Sequence, residues 1–160
     1  MSKEFVTKNK EETQQLSVDF LNSLDDVNVA LLSGDLGAGK TTFCQGILKA
    51  LNAEGPFTSP TFVVVKEYLI EQEKSSNNQK LDRTQKFSFK KVYHWDCYRI
   101  NVKDALELGW EEIVTDPNNL VLVEWPEKIQ AVWPKKYLLV DFERRKKKEE
   151  RKIVIEKKDR

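Results

Sequence analysis

A chain of 160 residues with 39% hydrophobic side chains, among them four Trp and eight Phe, is long and apolar enough to fold around a core as one domain, 1–160, rather than stay disordered. Lys and Arg number 27 against 26 Asp and Glu, a net charge of +1, which removes any global argument for nucleic-acid binding. Cys44 and Cys97 stand far apart outside any CxxC pattern, no apolar run approaches a membrane span, and MSKEFVTKNK lacks a signal-peptide core, so neither a disulfide framework nor a zinc site nor a membrane is expected, and a reducing, cytoplasmic setting is.

Along the chain, Asn9 followed by Glu12 reads as a helix start, with Leu16, Phe20 and Leu24 at helical spacing, and predicts a surface helix with one buried stripe. VNVALLSG (27–34) is a short apolar run closed by glycine and predicts a buried strand. Phe43, Ile47 and Leu51 recur at i, i+4 and i+8 and place TTFCQGILKAL on a helix, which makes SGDLGAGKTTF (33–43) a strand–loop–helix junction. FTSPTF (57–62) reads as a loop because Pro60 disfavours helix at Ser59. TFVVVKEYLI and KFSFKKVYHWDCYRI (86–100) are rich in β-branched and aromatic residues and predict two strands. The polar stretch between them, 71–85, reads as a long mobile loop; with no crossover helix in it, the two strands are expected to be antiparallel.

DALELGWEEI (104–113) predicts a helix that Gly109 weakens, and NLVLVEWPEKI (119–129) a buried strand broken at Pro126. KYLLVDFERR and RKIVIEKK predict a terminal hairpin around KKKEE. Residues 144–160 hold ten basic and four acidic side chains, +6, leaving −5 elsewhere. At a hairpin tip such a run reads first as a solvated end that keeps an edge strand from aggregating, and second as a contact for RNA or an acidic partner.

The chemistry concentrates at Gly34 to Thr41, which satisfies GxxxxGK[ST] in full. A loop that wraps a phosphate turns its amides inward, and glycine permits the dihedral angles this requires. Asp35, Leu36, Gly37, Ala38 and Gly39 form that loop, and Lys40, Thr41 and Thr42 follow at the helix start, where free amides and the dipole favour an anion. Lys40 supplies a compact charge for β- and γ-phosphates, and Thr41 a hydroxyl for Mg²⁺. A carboxylate near the metal is also needed, and the strand ends offer Glu124 and Asp96; a charge ending a buried strand is costly unless it meets a cation or donors. Extended geometry puts His94, Asp96 and Tyr98 on one strand face. His94, the sole histidine, reads as a structural hydrogen-bonder, Arg99 as an ion-pair partner before an arginine finger, and Trp125 as a packing residue before a nucleotide or partner contact.

GDLGAGKTTF, GPFTSPTFVVVKEY, YHWDCYRI, LELGWEEI and VEWPEKI occur together in the order and approximate spacing of the TsaE (YjeE) family, which the whole chain resembles. The resemblance implies an ATPase with ATP and Mg²⁺ as cofactors, slow alone, that works with TsaD and TsaB to make threonylcarbamoyladenosine at position 37 of tRNA, reaching tRNA through that complex. It implies phosphate and Mg²⁺ roles for Lys40 and Thr41, and a switch-type role near the γ-phosphate for Thr61. Asp96 and Glu124 look like the acidic residues organising metal and attacking water, Glu124 with Thr41 on the metal; which is base and which is metal support stays open. The chain departs from the family in its longer 71–85 connection and its more basic terminal hairpin.

The expected fold is α/β, a three-layer P-loop NTPase with a mixed central sheet and a C-terminal β-hairpin. A small-molecule kinase is the rival function, although Arg83 alone would have to serve its lid. A regulatory GTPase lacks its NKxD and DxxG signatures here, and an RNA-binding module lacks interleaved aromatic and basic motifs.

Overall fold

The computed structural model describes residues 2–71 and 88–160. The long polar connection expected over 71–85, with Arg83 in it, lies outside those residues apart from Glu71.

The apolar run at 29–32 explains the architecture. Val29 and Leu31 point into one hydrophobic cluster and Ala30 and Leu32 into another, so this strand is buried on both faces and shows no polar alternation. It is β2 (Val29–Gly34), and it lies between β5 (Asn119–Glu124) and β6 (Lys136–Arg144), parallel to both. The described residues form one seven-stranded sheet. Its order is β1 (Ser2–Thr7), β7 (Arg151–Asp159), β6, β2, β5, β4 (Lys91–Asp96) and β3 (Val65–Leu69). The β4–β5 pair is parallel and the β1–β7, β6–β7 and β3–β4 pairs are antiparallel, so the sheet is mixed as expected and ends in the expected hairpin.

Two helices, α1 (Lys10–Leu21) and α2 (Lys40–Ala50), cover one face. Asn9 caps α1, its side chain accepting the Glu12 amide at 2.8 Å. Phe43 of α2 meets Phe20 and Phe142 edge-on, with ring centroids 5.2 and 5.4 Å away. The two helices pack tightly at Gly46, where a Cβ would stand 2.0 Å from Ser17 Oγ and 2.9 Å from Gln14 Cα. The other face carries α3 (Val102–Glu107), α4 (Trp110–Thr115) and a 3-10 helix at Pro126–Val132, packed around Trp95 and Trp110 at 5.3 Å. Three layers result. Among the described residues no helix is long and apolar enough to cross a membrane.

Four local expectations are corrected. β1 was not anticipated: most of its residues are exposed, so no buried periodicity marks it, and it forms because β7 offers an edge to pair with. The first middle strand starts at Val65 rather than Thr61, because Val64 adopts a left-handed φ of 68° and gives its carbonyl to the Asp96 amide at 2.7 Å. The helix expected over 104–113 is two helices, since Gly109 at φ 84° ends the first and starts the second. Tyr98 lies beyond the end of β4 and does not share the strand face of His94 and Asp96.

Candidate functional site at the glycine loop

The sheet delivers Gly34, Asp96 and Glu124 at the C-terminal ends of β2, β4 and β5, the edge of an α/β sheet where ligands characteristically bind. Asp96 and Glu124 are register partners on adjacent strands, so their carboxylates stand side by side. Gly34 leaves β2 at φ 137°, where a Cβ would lie 2.5 Å from the Phe142 carbonyl oxygen; only glycine fits. The loop then folds back through an Ala38 amide bond to the Asp35 carbonyl at 3.0 Å. Gly39, left-handed at φ 110°, caps α2 without a side chain, which leaves the first-turn amides facing the cleft. The cleft measures about 250 Å³ and is lined by 36–42 together with Ser59, Thr61, Asp96, Glu124, Trp125 and Arg151.

Lys40 is only 4% exposed. Its ammonium donates to the Gly34 carbonyl and to the Asp35 carbonyl at 2.9 Å, and sits 4.0 Å from the centroid of the Trp125 ring. Burial pushes its pKa down, and the nearby Glu124 carboxylate is the chief force opposing that. Thr41 donates its hydroxyl to both Glu124 oxygens, at 2.9 and 3.2 Å. The same carboxylate meets His94 Nε2 at 2.8 Å, in a place where Glu124 is 4% and His94 1% exposed.

Asp96 faces a separate set. One oxygen accepts the Thr61 hydroxyl at 2.8 Å and the other the Tyr98 amide at 3.0 Å, and Thr61 is also bonded to Ser59 at 2.7 Å. The site therefore has two arms, Thr41–Glu124–His94 and Ser59–Thr61–Asp96, on either side of one cleft. Hard oxygen donors from Thr41 and Glu124 suit a small divalent cation, and loop amides with Lys40 suit an anionic group.

Among the residues singled out from sequence, Lys40, Thr41, Thr42, Thr61, Asp96 and Glu124 converge on the cleft with Gly37, Ala38 and Gly39. Leu36 stands at the rim, 80% exposed, and Asp35 contributes its carbonyl rather than its side chain. Arg99 corrects the ion-pair expectation: its guanidinium lies 5.3 Å from the exposed Phe62 ring and makes no ion pair among the described residues. Trp125 packs, as expected, and in doing so forms part of the cleft wall beneath Lys40, with its backbone left-handed at φ 57°.

One partner and one participant were not legible in advance. His94 is a hydrogen-bonder, as expected, but that its partner is the Glu124 carboxylate could not be read from the sequence. Arg151, at the end of the basic hairpin, donates to the Gly37 carbonyl at 3.1 Å and to the Lys148 and Glu150 carbonyls at 2.7 and 3.0 Å. The turn end of that hairpin buttresses the glycine loop, which no local pattern announces.

The sequence profile of the family described as threonylcarbamoyl adenosine biosynthesis protein TsaE matches residues 7–153. The chain is 34% identical over 140 residues to the tRNA threonylcarbamoyladenosine biosynthesis protein TsaE of Rickettsia felis, covering 86% of this chain and 71% of that protein. It is 35% identical over 133 residues to the protein of the same description from Nostoc sp., covering 81% and 70%. The crystal structure of YdiB from Bacillus subtilis matches with a TM-score of 0.69 at 28% identity, over 100% of this chain and 87% of that one. The sheet, the glycine loop and the two strand-end carboxylates sit on a chain whose matches span nearly its whole length, and the chain belongs to the TsaE family of threonylcarbamoyl adenosine biosynthesis proteins.

Proposed function

We propose that this chain is the ATP-binding and ATP-hydrolysing component of the machinery that places N6-threonylcarbamoyl on adenosine 37 of tRNA, working with TsaD and TsaB and meeting tRNA through them. The observation that carries the nucleotide reading is the Thr41–Glu124 pair beside Lys40 at the mouth of a glycine loop. The pathway follows from the family.

The residues fit a Mg²⁺–nucleotide. Gly39 exposes the α2 amides to a phosphate, and Lys40 holds an ammonium on two backbone carbonyls that it can exchange for β- and γ-phosphate oxygens. Thr41 and Glu124 present oxygens to the metal, with His94 fixing which way the carboxylate points. When bound, Mg²⁺ would neutralise charge on the phosphates and help align them. Asp96, tied to Thr61 rather than to Thr41, takes the other role: the pair orients the attacking water, and Asp96 accepts its proton. Lys40 and the loop amides stabilise the charge that develops on the transferred group. This division leaves Glu124 to the metal and Asp96 to the water.

The deciding experiment is ATP turnover by the chain alone and with a TsaD–TsaB pair, beside a Lys40→Ala control. Slow turnover that rises with the pair and disappears in the control is the expected result. Turnover indifferent to the pair would overturn the assignment to this machinery, and phosphate transfer to a metabolite would replace it with a kinase.

A further inference from the structure

Behind Glu124, away from the cleft mouth, the sulfur of Cys44, a ring nitrogen of His94 and a carboxylate oxygen of Glu124 lie within 4.8 Å of one another. Three chain segments bring them together: α2 contributes Cys44 one turn after Lys40, and β4 and β5 contribute the other two. All three are buried, at 0%, 1% and 4% exposure. His94 is engaged through Nε2 only; its Nδ1 is buried and has no partner among the described residues. Nε2, the nitrogen that faces Glu124, is the one that an ion between these groups would take, in place of the contact they now share.

We infer that Cys44, His94 and Glu124 form a second cation site, selective for a thiophilic divalent ion such as Zn²⁺ and distinct in chemistry from the oxygen-lined Mg²⁺ position at Thr41. One thiolate, one imidazole and one carboxylate are a characteristic zinc donor set, and the soft sulfur disfavours Mg²⁺. Charge also balances. The Cys44 thiol releases its proton to solvent as the Zn–S bond forms, His94 binds neutral, and thiolate with carboxylate cancel the 2+ of the ion. That is the only charge state a site this buried holds cheaply. Bond lengths of about 2.0–2.3 Å put tetrahedral ligand atoms roughly 3.5 Å apart, so binding would draw the three groups together from their present spread of up to 4.8 Å. A water would take the fourth position.

Such an ion takes a Glu124 oxygen away from Thr41. Occupancy and the nucleotide metal therefore compete for one carboxylate, and the ion acts as an inhibitor of the site. Only this consequence rests on the proposed ATPase reading; binding is measured without it.

The test uses untagged protein in a non-thiol reductant. Co²⁺ titration is expected to give a thiolate-to-metal charge-transfer band at one equivalent, displaced by Zn²⁺. The band should vanish in Cys44→Ala and persist in Cys97→Ala, whose thiol sits in the opposite hydrophobic cluster. Because the chain has one histidine, its imidazole ¹⁵N signals report on His94 in the unmodified protein, so a misfolded Cys44 variant does not stall the test. One equivalent of Zn²⁺ should move them to metal-bound positions. A band that survives in folded Cys44→Ala, or histidine signals that ignore Zn²⁺, would overturn the site whether or not the protein hydrolyses ATP.

Discussion

Lys40 is held by the carbonyls of its own loop, so the ammonium is already desolvated and positioned before any ligand arrives. Lys40→Ala removes a charge rather than core packing, and the carbonyls it leaves face a cleft that water can enter. Turnover should fall by at least about 10²-fold, the scale for loss of one charge-stabilising donor, while the circular dichroism spectrum and melting temperature stay near those of the parent. The two carboxylates separate by partner. Glu124→Gln is expected to raise the Mg²⁺ concentration needed for half-maximal turnover, because Thr41 and His94 both address that carboxylate. Asp96→Asn should lower kcat with little change in the Mg²⁺ requirement, and equal Mg²⁺ shifts in both would reverse the roles. The motif residues and the strand-end acids were legible because each follows from a local pattern: glycine spacing, or a charge closing an apolar run. Which acid faces which hydroxyl was not, since Thr41 meets Glu124 across 83 residues and Thr61 meets Asp96 across 35.

Helix α2 has to reach the sheet on one side and α1 on the other, and at Gly46 there is no room between it and α1 for a side chain. An added methyl would meet the α1 backbone at Gln14 Cα and O, each 2.9 Å away, and neither can rotate aside. Gly46→Ala should therefore cost about 1–3 kcal/mol, the range for overpacking, read as a lower urea midpoint. A midpoint unchanged from the parent would mean that the helices part without penalty. Elements whose burial is continuous or periodic could be read from sequence: β2 and β5 as apolar runs, α1 from its cap and stripe, the hairpin from two alternating segments. Elements defined by a neighbour could not. Exposed β1 exists through its pairing with β7, and the division of α3 from α4 depends on Gly109 taking a left-handed turn that a helix with one glycine need not take.

Across the whole molecule, one exposed cluster ties distant parts together: Asp26, in the turn before β2, receives Lys136 of β6 at 2.8 Å and Lys157 of β7. The two ammonium groups hold its carboxyl well below the usual carboxylate range. A carboxyl lowered on folding contributes stability above its unfolded pKa and loses that contribution as pH falls through the folded value. Asp26→Asn should thus lower the melting temperature at neutral pH, with the difference from the parent shrinking as pH is taken down from about 4; a pH-independent difference would deny the charge contribution. The sheet order carries a further consequence. β2, which feeds the Lys40 arm, has a strand on each side, whereas β3, which follows the Thr61 arm, is paired only with β4 among the described residues. Amide protons of Ala30 to Leu32 should exchange with deuterium only when the molecule unfolds globally, and those of Lys66 to Tyr68 through far cheaper fraying. The glycine loop and the Thr61 loop are thus fastened with different strengths, so the molecule can loosen Thr61 from Asp96 while the glycine loop stays in place, and anything that clasps the β3 edge would restore that contact.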